Sequence, residues 1–476
     1  MTPDHRPHPL YVDLDGTLLR SDALWESLLA LARRRPALLF ALPHRVAQGK
    51  AACKRWLAKE APVDVATLPY DGEAIAIIQE RRERGGRTVL ATAADRAVAD
   101  DVAEHLGLFD GVLASDGKTN NDGEAKAAAI LGDAGGAAFD YLGDGRDDEA
   151  VRRAAATSLV VVDGPASRRA SGSPNARAAF ERPRLTAASV LAALRSRQWL
   201  KNLLVAAPLA LSHHLGDLPR LASAGAAFVS FSLCASAAYV LNDLWDLDAD
   251  RRHPVKRSRP FASGRVRIPD GLALAAASLA LGMGVAIATL PAGFSLALAG
   301  YVVLTTFYTF RLKRYVVFDV LVVALCYAWR VVAGALATGV RPSGWLLAFS
   351  LFFFLSLAFL KRFAELAMRR ASGLGGEHGR GYVPGDLEIV RLLGVASGVI
   401  AVFVMALYVT NPQVTVLYVR PPLLWAVVLA TLYWLVRIWL LAGRGAIKDD
   451  PFAFTVGDRS SYATAALMLL VLFLAS

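Results

Sequence analysis

Cysteine is scarce: among 476 residues there are three, Cys53, Cys234 and Cys326. Their odd number and the lack of metal-ligand spacing argue against a disulfide framework and a cysteine-held metal, and for reduced thiols in a cytosol-facing chain. A secretory leader is also lacking. Met1 to Leu10 holds polar residues and prolines but no apolar core, so no signal peptide is expected there. Acids are outnumbered, 41 against 52 Lys and Arg, for a formal charge of +11. That excess falls between apolar runs, which is the mark of cytoplasmic membrane-protein loops; nucleic-acid binding is not expected. Apolar residues are abundant, 55% of the chain, with a mean hydropathy of +0.40. Residues 1–198 are charged and Ala-rich, whereas 199–476 are mostly apolar stretches broken by short polar loops. Length and contrast together imply at least two domains.

Apolar runs predict about nine membrane spans, near 200–213, 222–242, 271–289, 293–310, 315–337, 344–361, 391–410, 421–441 and 460–475. Even-numbered connections carry eighteen Lys and Arg; odd-numbered ones carry three, Arg220, Arg341 and Arg420. The bias puts the N-terminal domain in the cytosol and, with an odd span count, the C-terminus on the other side. The tract 163–184, rich in Pro, Gly, Ser and Arg, reads as a linker. Residues 186–198 read as a basic amphipathic helix on the membrane surface. The expected domains are 1–162 with a cap over about 20–85, a linker at 163–185, and a membrane domain at 186–476.

The densest chemistry follows the second span, from Asn242 to Pro260. Asp243, Asp246 and Asp250 are spaced i, i+3, i+7, which on a helix puts the three carboxylates on one face. A divalent cation relieves their repulsion, and hard oxygen donors suit Mg²⁺ or Mn²⁺. Five cations follow between Arg251 and Arg259, among them Lys256, Arg257 and Arg259, suited to phosphate oxygens. A metal and a basic clamp beside a membrane span point to a diphosphate with a lipid partner.

In the N-terminal part, residues 10–18 read Leu-Tyr-Val-Asp-Leu-Asp-Gly-Thr-Leu, a short apolar strand that ends in Asp13, with Asp15 and Gly16 just beyond. Paired acids at a strand end suit Mg²⁺-assisted attack on phosphorus and proton shuttling. A second strand leads to Thr92, Lys126 follows Gly123-Glu124-Ala125, and a third strand reaches Asp144 with Asp148 beyond. This order resembles the haloacid dehalogenase phosphatase superfamily. The resemblance implies an α/β, Rossmann-like fold with Asp13 as nucleophile, Asp15 as acid/base, Thr92 and Lys126 on the phosphoryl group, and Asp13, Asp15, Asp144 and Asp148 (or Asp147) around Mg²⁺. The helical pattern between the first two motifs implies a small helical cap.

Asn242 to Asp250 resembles the first aspartate-rich motif of the UbiA-type polyprenyl transferases, which implies an all-α bundle of nine membrane helices around a cytosol-facing Mg²⁺-diphosphate site. The second such motif of that superfamily is altered here, to Leu360-Lys361-Arg362-Phe363-Ala364-Glu365-Leu366. That variant resembles the decaprenyl-phosphate phosphoribosyltransferase-like branch, as do Arg197 to Asn202, His253 to Gly264, Arg330 with Ala333-Gly334-Ala335, and Asp449 to Arg459. The branch implies that phosphoribosyl diphosphate and a polyprenyl phosphate are substrates. By that resemblance Asp243, Asp246 and Asp250 hold the metal. Asn242, Lys201, Lys256, Arg257, Arg259, Arg330, Lys361, Arg362, Glu365, Asp450 and Asp458 are the substrate- and phosphate-binding candidates; Asn242 also reads as a metal ligand or as orienting a carboxylate, and Asp449 with Asp450 as a solvated loop pair. Asp458 also reads as a helix N-cap, and Arg330 as a cavity-facing charge. Soluble phosphoribosyltransferases use an acidic loop after a strand, and the membrane half has none. Ribosyl transfer followed by 5-phosphate removal is the expected activity. The alternatives are prenyl transfer to an aromatic acceptor, with a separate or inactive phosphatase-like domain, and a lipid carrier or flippase with a regulatory head. Oligomeric state, including a homo-oligomer, stays open.

Overall fold

The computed structural model describes residues 7–144, 148–172, 174–182, 186–212, 214, 216–341, 343–371, 381–447 and 451–476. The chain divides into two compact units, Met1–Ser196 with Tyr239–Ala277, and Arg197–Ala238 with Ser278–Ser476.

The first unit is built on a six-stranded parallel sheet: β1 (Leu10–Val12), β2 (Thr88–Asp95), β3 (Gly111–Ser115), β4 (Asp140–Gly143), β5 (Thr157–Val162) and β6 (Ala176–Glu181). The strand order is β3-β2-β1-β4-β5-β6. Alternation sends Leu10, Val12, Leu90 and Leu142 into one apolar cluster and Tyr11, Val89, Ala91 and Tyr141 into another. Both faces of the sheet are covered, so its inner strands are largely buried. The order reverses beside β1, and a doubly wound sheet forms its ligand crevice at the carboxyl ends of strands at such a reversal.

The helices Ala23–Arg34 and Lys50–Glu60 share their own small core of Ala30, Leu31, Cys53, Leu57 and Ala61. This is the helical cap. It is shorter than the sequence suggests, because Ala74 and Ile78 of the next long helix, Gly72–Glu83, pack into the sheet core.

The tract read as a linker is folded. It holds the helix Pro165–Ala170 and β6, which pairs in parallel with β5. An edge strand needs few apolar residues; here Phe180 is buried while Arg177 and Ala178 face out. The surface helix is also shorter than 186–198, running over Ala187–Ala193, and Arg195 follows with a left-handed backbone, φ 51°.

Seven helices among the described residues are long and apolar enough to cross a membrane: Leu218–Trp245, Ile268–Thr289, Ala292–Phe310, Phe318–Thr338, Gly344–Ala371, Pro384–Thr410 and Pro421–Gly443. Seven such helices make this a multi-pass membrane protein. The expected count of nine is approximate at its two ends. The last apolar helix, Arg459–Ala475, has 17 residues. The first expected span is instead a 3-10 stretch, Ser196–Ala206, and a short helix, Ala207–Leu211. Pro208 in the first turn of that helix has no N–H with which to continue a preceding one. In the second unit, Phe359, Leu360, Phe363, Ile438 and Trp439 form an inner cluster. Leu296, Val303, Phe403 and Leu429 stand at the surface, as lipid-facing helices require.

Candidate active sites

Asp13 directly follows β1, and its N–H donates to the Leu142 carbonyl at 2.9 Å. Gly16 has φ +73°, and a Cβ there would stand 2.7 Å from Asp144 Oδ2. Only glycine permits both the turn and that approach. Asp13, Asp144 and Asp148 are buried and offer oxygens within 4.8 Å of one another. Lys126, on the helix Gly123–Ala134, donates to Asp13 Oδ1 at 3.0 Å and Asp148 Oδ1 at 2.8 Å. The Tyr141 hydroxyl donates to Asp148 Oδ2 at 2.5 Å. This hard-oxygen donor set fits Mg²⁺.

Asp15 stands apart from that cluster, its Oδ1 accepting the Ala23 N–H at 2.7 Å. Burial and the Asp22 carboxylate push Asp15 up to about 7, against the Ala23 N–H and two lysines. A group poised near neutrality suits general acid–base work. Burial also raises Asp13 well above the usual carboxylate range; Lys126 opposes the rise, and Asp148 and Asp144 add to it. Burial alone would lower Lys126, but Asp13 and Asp148 outweigh it and raise it, so Lys126 stays an ammonium.

These groups line a cavity of about 390 Å³. Thr92 is not in its wall. It is fully buried, and its Oγ1 accepts the Ala94 N–H at 3.0 Å. Ala93, Ala94 and Asp95, just beyond Thr92 on β2, line the cavity instead. Four lining or supporting residues escape sequence reasoning: Lys54, which donates to the Ala93 carbonyl at 2.6 Å, Tyr141, Arg182 and Arg267. Asp147, the alternative to Asp148, lies outside the described residues.

The aspartate-rich segment belongs to the same unit. The helix ends at Trp245 and resumes over Leu247–Arg252, so Asp246 sits in a one-residue break and not on an unbroken helix face. Asp243 and Asp250 are nevertheless brought together, by Arg259, whose Nη1 lies 3.3 Å from Asp243 and 2.6 Å from Asp250. Arg195 binds both oxygens of Asp243, with Nε to Oδ2 at 2.9 Å. Arg259 therefore serves acids here, where a phosphate role is expected from the sequence. Lys256 is half-buried and Arg257 exposed, in the turn Lys256–Ser258. Burial raises Asp250 despite Arg259. Among the described residues, the cluster at Asp13 is the one that brings three acids within 4.8 Å, so Asp243, Asp246 and Asp250 do not converge as a triad. Asn242 lies one residue before Asp243, on the same helix.

In the second unit, Arg330 is buried. It donates from Nε to Asn202 Oδ1 and from Nη2 to the Tyr301 hydroxyl, both at 2.8 Å, and faces the rings of Phe231, Tyr301 and Tyr327. Lys201 lies over Phe452 at 4.8 Å and Tyr327 at 5.9 Å. Arg362 has a different setting from the phosphate site expected of it. It is buried between Asp319 and Glu365, and Tyr382 also donates to Asp319, at 2.8 Å. Lys361 is half-buried beside it. Asp458 caps its helix by accepting the Ser461 N–H at 2.9 Å and pairs with Arg437, so its carboxylate is structurally occupied. Asp450 lies outside the described residues.

Comparison with known proteins agrees with this division. The UbiA prenyltransferase family pattern matches residues 202–475, and the haloacid dehalogenase-like hydrolase pattern matches residues 10–151. The uncharacterised protein y4nM of Sinorhizobium fredii is 37% identical over 467 residues, 97% of this chain and 90% of the relative. The nodulation protein NoeC of Azorhizobium caulinodans is 36% identical over 273 residues, 56% of this chain and 87% of the relative. The decaprenyl-phosphate phosphoribosyltransferase of Mycolicibacterium smegmatis is 37% identical over 198 residues, 40% of this chain and 61% of the relative. The chain belongs to the UbiA prenyltransferase family and carries a haloacid dehalogenase-like domain at its N-terminal end.

Proposed function

We propose that this chain is a bifunctional membrane enzyme. Its membrane domain transfers 5-phosphoribose from phosphoribosyl diphosphate to a polyprenyl phosphate, releasing diphosphate, and its N-terminal domain then hydrolyses the 5-phosphate to leave polyprenyl-phosphoryl-ribose. One observation carries the reading: Asp13, Asp15, Lys126, Asp144 and Asp148 line one cavity, in one compact unit with the aspartate-rich segment of the transferase. The likeness to phosphoribosyltransferases supports the donor, and the altered second motif counts against aromatic prenyl transfer. The basic-residue bias supports a cytosolic N-terminal domain with both sites facing the cytosol.

In the first step the lipid phosphate is already an anionic nucleophile, so no strong base is required. Asp243 and Asp250, brought together at Arg259, would hold Mg²⁺, which when bound would neutralise the leaving diphosphate. Arg330, Lys201, Lys361, Lys256 and Arg257 are the candidates to meet phosphate oxygens. In the second step Asp13 attacks phosphorus, and the ribose O5 leaves with a proton from Asp15. Water, deprotonated by Asp15, then releases inorganic phosphate from Asp13. Lys126 keeps Asp13 oriented and offsets its charge. Mg²⁺ at Asp13, Asp144 and Asp148 would neutralise phosphoryl oxygens.

The test supplies the full-length protein with Mg²⁺, a polyprenyl phosphate and labelled phosphoribosyl diphosphate, and resolves lipids by mass. Wild type should yield lipid-linked ribose, and Asp13→Asn should accumulate its 5-phosphate. Absence of labelled lipid, with consumption of a prenyl diphosphate and an aromatic acceptor, would overturn the reading.

A further inference from the structure

The cavity around Asp13 is not closed by the phosphatase fold alone. Arg267, Ile268 and Pro269 form part of its wall, and Ile268 opens the candidate membrane span Ile268–Thr289. This segment is held closely. A Cβ on Gly264, where φ is +70°, would stand 2.5 Å from Arg20 Cβ. Upstream, Arg251 forms a buried two-pronged pair with Glu26 of the cap helix.

Three arginines line the cavity, and they differ. Arg20 and Arg182 are held by Asp71, and Arg182 also donates to the Gly16 and Thr17 carbonyls at 2.7 and 2.6 Å. The Arg267 side chain is 44% exposed, with Nε and Nη2 on Asp270 at 2.7 and 3.2 Å. That pair uses Nε and Nη2, and a guanidinium has five N–H groups, so Arg267 keeps donors for a second anion.

We propose that Arg267 is a specificity-determining residue of the phosphatase site. It grips a second anionic group, a phosphodiester, on a substrate whose phosphomonoester sits at Asp13. The proposal rests on the reading above, in which the ribose carries a monoester at O5 and the lipid phosphodiester at C1. Free sugar phosphates have the first charge and lack the second. Ile268 and Pro269 supply apolar surface beside the diester, at the mouth of a membrane helix, where a lipid chain continues into the bilayer.

The full-length protein in detergent would be assayed for phosphate release from two soluble probes: ribose 5-phosphate, and its derivative bearing a short-alkyl phosphodiester at C1. Wild type should prefer the diester probe through a lower KM. Arg267→Ala should raise KM for the diester probe about ten-fold more than for ribose 5-phosphate, a differential of about 1.4 kcal/mol. Arg267→Lys should recover part of the preference, which separates charge from packing. If wild type prefers the diester and Arg267→Ala keeps that preference, the assignment of Arg267 falls while the bifunctional reading stands. Equal losses on both probes also overturn it. If wild type hydrolyses neither probe, or both equally well, the substrate reading fails and takes Arg267 with it.

Discussion

Glu26 of the cap helix and Arg251 beyond the aspartate-rich motif form a buried ion pair with two bonds, Nη1 to Oε2 at 3.0 Å and Nη2 to Oε1 at 2.6 Å. Their side chains are 1% and 5% exposed, and Ser21 also donates to Glu26. Removing one partner leaves the other charged and out of water, which typically costs about 3–5 kcal/mol. Glu26→Gln and Arg251→Met should therefore each lower the Tm of the full-length protein in detergent. Replacing both with apolar residues should cost less than the two single changes added together. Unchanged melting in both single variants would show that the pair contributes nothing to stability.

Asp71 gives a pH dependence. Burial alone would raise its carboxyl, but Arg182 and Arg20 outweigh burial and hold it below the usual range. The folded-state value is depressed, so the stabilisation is present above the unfolded carboxylate pKa of about 3.9 and is lost as pH falls through the folded value. The stability of wild type, followed from pH 7 towards pH 3, should fall more steeply at the acid end than that of Asp71→Asn. Parallel curves would remove Asp71 as a source of acid sensitivity.

Gly16 sets the approach of Asp144. A Cβ there would lie 2.7 Å from Asp144 Oδ2, on a backbone with φ +73°. Gly16→Ala must shift either the turn or the carboxylate. Disturbing what orients a metal ligand typically costs 10- to 100-fold in metal affinity. The Mg²⁺ concentration that half-activates phosphate release should rise by about that factor, read from a Mg²⁺ titration. An unshifted midpoint would mean that Asp144 does not hold the activating ion.

Strand ends and their acids are legible in sequence because a short apolar run followed by Asp is a local signal; Asp13, Asp144 and Lys126 meet as their motif order suggests. β6 is not legible, because an edge strand with Arg177 and Ala178 facing out has the composition of a linker. The break at Asp246 is hidden for another reason: helical spacing says which residues share a face only while the helix continues. Arg362 and Asp319 are 43 residues apart, and Arg251 and Glu26 are 225 apart. No periodicity reports such pairs, so cations that read as phosphate ligands turn out to answer acids.

Arg195 offers the sharpest test of the transferase site. Its φ of 51° is left-handed, which costs a non-glycine residue about 1–2 kcal/mol. Such strain persists where the surroundings over-determine it, often at functional sites. Here the guanidinium holds both oxygens of Asp243. Strain and charge can be separated by two substitutions. Arg195→Gly removes the charge and relieves the backbone, whereas Arg195→Lys keeps the charge and the strain but loses the two-pronged geometry. If Arg195 positions Asp243 for the metal, both should lower phosphoribosyl transfer about 10- to 100-fold and shift its Mg²⁺ dependence, although Arg195→Gly escapes the backbone penalty. If Arg195 were only structural, turnover would follow melting temperature in both variants, and the Mg²⁺ dependence would not move. Full activity of Arg195→Gly would remove Arg195 from the site.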